Sequence, residues 1–369
     1  MSPREYYAHR LQVRALLDDD GAALLDEHGR TVRDDALTRW GRLFQEYCCM
    51  ALAKTEMDRL RWYEKNQKLI RAELYQDLKE AVRRHDGDGA ITAGKRVVLP
   101  SSFTGGPRDM RQRYHDGMAV VRKKGRPSFF ITMTCNPCWD EIKRELQRGQ
   151  QPQDRPDLLA RVFKIKLDQL CRELFTDGIF GRSVAHLHVI EFQKRGLPHA
   201  HILIILQERD RLKTVDDIDA CVSAELPVPP DPADFDGGAT APAYRAAYEC
   251  YHELTDLIVS HLTHHECGPA FPGASCMEDG QCKAGYDKKA FVSETTYLET
   301  QIYPIYRRRS PDDGGATYTT SNGRVIDNRR VVPHSPYLVK KYQCHINVEV
   351  CFSVASVKYL YKCNRRCEP

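Results

Sequence analysis

Two histidines one residue apart open the most apolar stretch of the chain, Pro198-His199-Ala200-His201 followed by ILIIL. In an extended strand alternate side chains share a face, so His199 and His201 project together, and two imidazoles at that separation can hold one divalent ion. A bare His-x-His is more often a surface or hydrogen-bonded pair. The chain also carries a second instance, His186-Leu187-His188, that fits equally well on spacing. The neighbourhood favours the first pair. SVAHLHVIEFQ (183–193), a KRGLP turn and HAHILIIL (199–206) read as a β-hairpin, with Glu191 eight residues before His199 on the partner strand and Gln193 on the same face as a substitute. Two neutral imidazoles and one carboxylate would leave a divalent ion partly positive with open positions, which suits polarisation of a phosphate oxygen.

Near the end of the chain, Tyr359-Leu-Tyr-Lys362 sits in helical sequence, where Tyr359 and Lys362 share a face at i, i+3 and Tyr361 points roughly opposite. A tyrosine hydroxyl can attack a phosphodiester when a cation stabilises the charge that develops. An ordinary helix with core and surface aromatics is the bland alternative. His264, Cys267, Cys276 and Cys282 form an acceptable zinc set in a Gly/Pro-rich stretch, although C-x8-C-x5-C is not a standard finger spacing. Cys135-x-x-Cys138 has redox-motif spacing, for which a structural role is the simpler reading. Arg307, Arg308 and Arg309, Arg329 and Arg330, and Arg122-Lys123-Lys124 with Arg126 are solvated charge runs when taken singly. With Tyr303, Tyr306 and Tyr337 near the first two runs, they are candidates to track a DNA backbone and stack bases.

The elements that position these residues follow from pattern. Residues 39–82 have helical apolar spacing at Leu43, Tyr47, Met50, Met57, Leu60, Leu69, Leu74 and Leu78, which predicts one or two long helices. SFFITMTC (128–135) predicts a strand, 156–175 an amphipathic helix, 324–332 and 344–352 short runs, and roughly 353–363 a last helix. Residues 226–243 are Pro/Gly-rich and acidic, predicting a loop. Strands interleaved with helices predict an α+β fold with an antiparallel central sheet. Gly89 and Gly94-Lys95 fit GxxxxGK, but Arg96 replaces the metal-binding hydroxyl and no buried strand precedes it, so no nucleotide is expected there.

Composition bounds the partners. The 369 residues are 41% hydrophobic and 29% charged, ordinary for a globular chain. No apolar run nears the roughly 20 residues of a membrane span. With no apolar leader, the 14 cysteines are expected to be reduced thiols. The net charge of +4 is an average. Residues 101–200 and 301–369 carry 30 basic against 16 acidic side chains, a net of +14, whereas 201–300 carry 7 against 18, a net of −11. The basic segments hold the candidate motifs and point to nucleic acid.

In order, Phe130-Ile-Thr-Met-Thr134, Glu191…His199-Ala-His201 and Tyr359-x-x-Lys362 resemble the three motifs of rolling-circle replication initiators, the HUH endonucleases. More closely, the chain resembles the Rep-like domain of Helitron transposases. That resemblance runs through LPSSFTGGPRDM (99–110), FFITMTCNPCWDEI (129–142), DRPDLLARVFKIKL (154–167), VIEFQKRGLPHAHILIIL (189–206), YPIYRRR (303–309) and QCHINVEVCFSVASVKYLYK (343–362). Helical sequence at 41–76 is similar to the region just upstream in that family. It implies a central antiparallel sheet of HUH/Rep type flanked by helices, a helical N-terminal region over 1–94, and a Rep-like domain over 95–369 interrupted by an irregular acidic insertion at 212–300. It further implies Mg²⁺ or Mn²⁺ on His199, His201 and Glu191, attack on single-stranded DNA by Tyr359 with Lys362 beside it, a 5′-phosphotyrosine intermediate, and residence in the nucleus. Thr132 and Thr134 would support the site. Where the family carries a second tyrosine four residues after the first, this sequence has Cys363. No helicase motor is expected in this chain. A truncated or domesticated copy that binds single-stranded DNA without cutting it is the alternative.

Overall fold

The structure, a computed structural model, describes residues 1–29, 31–72, 97–193, 196–297, 301–321 and 323–362. Gly89, Gly94, Lys95 and Cys363 lie outside the described residues, as do the side chains of Tyr359, Tyr361 and Lys362. The chain divides into two compact units, Met1–His115 with Arg144–Asp157, and Asp116–Lys143 with Leu158–Pro369.

In the first unit the predicted long helix is α1, Arg42–Lys65, followed after Asn66 by a short turn of helix over Gln67–Ala72. The Asn66 side chain donates back to the Trp62 carbonyl at 2.8 Å, and its backbone leaves helical geometry. Only Phe44 and Ala51 of α1 are buried, while Leu43, Met50 and Leu60 stay exposed. Helical spacing therefore predicted the element, but not which of its side chains are covered.

The second unit is organised round a four-stranded antiparallel sheet: β1 (Phe129–Thr134), β2 (Ser183–Phe192), β3 (Pro198–Leu206) and β4 (Ile346–Val350), in spatial order β4-β1-β3-β2. The sequence FFITMT is aromatic and β-branched, and all six residues of β1 are buried, as expected of a strand covered on both faces. By contrast β2 alternates partly buried and exposed residues, the signature of a half-covered edge strand. The turn joining β2 to β3 closes through Gly196, at φ +78, whose amide donates to Gln193 O at 2.7 Å. Two helices bring apolar side chains to one face of this sheet. Val121 of α2 (Pro107–Lys124) and Val357 and Leu360 of the last helix, Ala355–Lys362, form one buried cluster with Phe130, Leu203 and Ile205. Helix α3 (Pro156–Arg172) buries Leu159, Val162, Phe163, Leu167 and Leu170, one face of the predicted amphipathic pattern.

The segment 212–300 is not irregular throughout, contrary to expectation. It contains a 20-residue helix, α4 (Pro242–His261), started by Pro242 in its first turn, where a missing amide costs nothing. The same segment is stitched into the unit by antiparallel bridges from Ser223 to His334 and from Thr263 to Val331. A short helix, α5 (Pro336–Tyr342), then leads into β4, and the last helix is α6.

Candidate functional site

Strand register sets the site. His199 pairs with Glu191 of β2 on one side and with Thr134 of β1 on the other, while His201 pairs with Val189 and Thr132. Directly paired residues of antiparallel strands point to the same face, so two imidazoles, two hydroxyls and a carboxylate gather on one side of the sheet. The ring centroids of His199 and His201 are 4.5 Å apart and nearly perpendicular, at 81°.

Each imidazole is held by one nitrogen. His201 Nδ1 lies 3.0 Å from Thr132 Oγ1, and His199 Nδ1 lies 2.6 Å from Thr134 Oγ1. In the tautomer with Nδ1 protonated, the threonine hydroxyl accepts from Nδ1–H and the Nε2 lone pair is left for a cation. His201 Nε2 faces Glu191 Oε2 at 3.9 Å, too long for a hydrogen bond, and Glu191 Oε1 is buried without a hydrogen-bond partner. The electrostatics agree. Burial, with His201 and His345 nearby, pushes the His199 imidazole down to about 3, and burial brings His201 down to about 4. Both rings are therefore neutral at pH 7, as metal ligation requires. Burial also lifts the Glu191 carboxyl above its usual range, a cost that a bound cation would reverse. An orphaned carboxylate oxygen beside two fixed neutral imidazoles fits a hard divalent ion with mixed nitrogen and oxygen ligands.

The second histidine pair does not share this face. His186 and His188 lie on the exposed side of β2, and His186 stacks on Phe175 with centroids 3.6 Å apart. Gln193 stands exposed in the turn beyond β2, so Glu191 is the acidic residue that meets the pair. The third motif lies on α6, whose Val357 and Leu360 pack on Phe130, Leu203 and Ile205, residues of the histidine-bearing face. The Tyr359 and Lys362 side chains fall outside the described residues.

Two residues that sequence reasoning passed over support the site. His345, just before β4, accepts the Thr134 amide on its carbonyl at 2.9 Å, and its own Nδ1 lies 2.7 Å from the His261 carbonyl at the end of α4. Asn347 pairs with Thr132 and has a buried Oδ1 without a hydrogen-bond partner. Spacing within one segment could not signal either, because β4 reaches β1 from more than 200 residues away.

The basic runs need correction. Arg308 is 3% exposed, and its guanidinium caps the carbonyls of Ala224, Asn328 and Val331, so it cannot meet a phosphate. Arg309 forks onto Glu225 at 2.7 and 3.1 Å, Arg307 lies 3.4 Å from the same carboxylate, and Arg329 forks onto Asp327. Arg330 donates to His265 O and to Cys267 Sγ. Tyr306 is buried, its hydroxyl accepting from the Val350 amide, and is no stacking platform. The acidic insertion supplies Glu225 and Asp219 to Arg307 and Arg309, so part of the charge alternation along the chain becomes pairing in space. Arg122, Lys123 and Lys124 remain exposed at the end of α2, next to Val121 of the cluster under α6.

The zinc candidates converge. His264, Cys267, Cys276 and Cys282 place their ligand atoms within 4.8 Å of one another, the one such group among the described residues. The His199, His201 and Glu191 set is more open. Cys135 is buried and its thiol pushed up to about 12 by burial, which suits a packed thiol rather than a redox pair with exposed Cys138.

No curated protein matches the chain. Residues 22–204 match the family model described as the Helitron helicase-like domain at N-terminus, a stretch that runs from the first unit through β1 to the paired histidines of β3. On that match, which contains both paired histidines, residues 22–204 of the chain are a Helitron helicase-like domain of the transposase-related kind.

Proposed function

We propose that the second unit is an HUH-type endonuclease and strand transferase that cuts single-stranded DNA through a tyrosine. The carrying observation is the disposition of His199 and His201: Nδ1 lies against Thr134 and Thr132, His201 Nε2 faces the orphaned carboxylate of Glu191 at 3.9 Å, and His199 pairs with Glu191 in register. Mg²⁺ or Mn²⁺ held by these three side chains would supply polarisation of the scissile phosphate. Residues of the chain do the rest. Thr132 and Thr134 keep both rings in one tautomer, and the sheet holds them at fixed separation. Helix α6, whose Val357 and Leu360 pack on that face, carries Tyr359 in its sequence, and Tyr359 is the proposed nucleophile. In the reaction the Tyr359 oxygen bonds to phosphorus while the bond from phosphorus to the 3′-oxygen breaks. The tyrosine gives up its proton, the 3′-oxygen leaves as a hydroxyl, and the 5′-phosphate stays on the enzyme. Reversal by an incoming 3′-hydroxyl reseals a strand without nucleotide hydrolysis. Lys362 and the exposed Arg122, Lys123 and Lys124 are the cations assigned to the strand.

The test incubates the full chain with single-stranded oligonucleotides of varied sequence and Mn²⁺. A covalent protein–DNA adduct that is absent with chelator and absent in Tyr359→Phe is the expected result. A folded protein that binds single strands in a salt-dependent way but gives no adduct would overturn cleavage. It would favour the second reading, a non-catalytic DNA-binding remnant, for which Cys363 in place of a second tyrosine speaks.

A further inference from the structure

The His/Cys group in the insertion has more in common than proximity. His264 lies three residues after the end of α4, in a segment whose backbone pairs with 330–332: His264 N donates to Arg330 O at 2.8 Å, and Val332 N to Leu262 O at 2.8 Å. Cys276 and Cys282 flank a tight hairpin in which Met277 pairs with Cys282. Lys283 N donates to Cys276 O, and Gly285 N to Cys282 O, both at 2.9 Å. Backbone amides of Ala284 and Tyr286 donate toward the Cys282 sulfur. A sulfur wrapped by amides at the start of a turn is a thiolate environment, and Gly285, at φ +69, permits that turn. Cys267 and Cys282 are buried, and Cys267, Cys276 and Cys282 are all free thiols.

Distances fit one ion. Zinc binds sulfur at about 2.3 Å and imidazole nitrogen at about 2.0 Å, so a tetrahedral site has ligand-to-ligand edges of roughly 3.5–3.8 Å. His264 Nε2 lies 3.4 Å from Cys282 Sγ, and all four ligand atoms lie within 4.8 Å of one another. Charge fits as well. Three thiolates, one neutral imidazole and a divalent ion leave a net −1, and Arg330 Nη1 lies 3.3 Å from Cys267 Sγ. Arg324 donates to the His264 carbonyl and lies 3.6 Å from Glu266. Tyr286 stacks on the His264 ring at 4.3 Å and 15°, holding the imidazole plane.

We propose that His264, Cys267, Cys276 and Cys282 bind one structural Zn²⁺, independently of the hard-cation site on the sheet. Four protein ligands close the coordination sphere, so the ion has no open position for substrate. Three sulfurs select zinc over Mg²⁺ or Mn²⁺. The ion fastens the stretch after α4, and α4 itself holds His345 through the His261 carbonyl. His345 in turn receives the Thr134 amide. The zinc staple therefore lies at the outer end of a hydrogen-bonded path to the sheet.

Metal analysis of the purified full chain, after dialysis against a carboxylate chelator too weak to strip a thiolate site, is the first measurement. One equivalent of zinc is expected, kept in His199→Ala/His201→Ala and lost in Cys276→Ser/Cys282→Ser. Should the cysteine double variant fail to fold, Co²⁺ exchange into the wild-type chain gives an independent readout. The intense visible bands of tetrahedral cobalt with sulfur-to-metal charge transfer are expected, and three thiols should become reactive only when a strong chelator is added. Zinc absent from a folded wild-type chain, zinc lost from the sheet variant instead, octahedral cobalt spectra, or a disulfide among the three cysteines would each overturn the proposal.

Discussion

On the sheet, His199 and His201 take their positions from strand register and are held by threonines of the neighbouring strand. In the insertion, His264 reaches three cysteines that turns and a two-residue hairpin gather. The sheet group mixes nitrogen and oxygen, is open, and keeps its imidazole Nε2 atoms unused by protein. The insertion group is sulfur-rich, closed and compensated by Arg330. Register can hold an incomplete set ready for a ligand that comes and goes, because the strands are stable without the ion. A loop with little core of its own gains its order from the ion. On the proposals above, the difference separates a working site from a fastening and calls for a different metal at each.

The largest effect expected is on activity at the sheet. His201→Ala should reduce Mn²⁺-dependent adduct formation by more than the roughly 10–100-fold that loss of a supporting residue costs, while zinc content stays unchanged. Adduct yield and metal analysis on the same preparation check both halves, and zinc loss in that variant would collapse the separation. Next comes the insertion's anchoring. Arg308→Leu strands the carbonyls that the guanidinium caps and should destabilise by about 3–5 kcal/mol in denaturant unfolding, with little direct effect on the salt dependence of DNA binding. An unchanged midpoint would mean that Arg308 is free in solution.

A smaller effect is expected one layer out from the metal. Thr134→Val keeps shape but removes the hydroxyl on His199 Nδ1, and should weaken Mn²⁺ binding by about 10–100-fold with little loss of stability. Titration of Mn²⁺ by its electron paramagnetic resonance signal reads this directly. The pH dependence is a separate readout. His199 and His201 titrate at about 3 and 4 in the fold, below the ordinary histidine value. Their contribution to stability is therefore complete above about pH 6.5 and is lost as pH falls toward 4, by up to about 1.4 kcal/mol per unit for each imidazole. A chain with both residues replaced by asparagine should show a flatter acid limb, and equal slopes would contradict neutral burial. Smallest of all, His186→Ala/His188→Ala should leave metal-dependent cleavage unchanged, since those rings lie on the other side of β2.

What could be read from sequence divides along the same line. The hairpin, the shared face of His199 and His201 and the place of Glu191 followed from a period of two and an eight-residue offset, because neighbouring strands joined by a short turn have little freedom. The role of Thr132 and Thr134 came with the family resemblance, and the register explains it. Charge runs misled because a run in sequence says nothing about what faces it. Glu225 answers Arg307 and Arg309 from a distant segment, Asp327 answers Arg329 from two residues away, and Arg308 is buried among backbone carbonyls. The insertion looked irregular because its acidic, proline-rich start masked the helix that Pro242 begins. His345 and Asn347 were invisible for a topological reason, since their partners are on β1.

Strand order also imposes a timetable on synthesis. β1 lies in the middle of the sheet, yet one neighbour, β3, follows it by some 65 residues and the other, β4, by more than 200. At roughly 5–20 residues per second, the ribosome needs about 10–40 s between completing β1 and completing β4. Throughout that interval FFITMT presents an open hydrogen-bonding edge on a strand rich in aromatic and β-branched residues, an invitation to pair with another nascent chain. That ribosome-bound intermediate is exposed to edge-to-edge pairing, and a chaperone that covers β1 until β4 arrives should raise the yield of soluble chain.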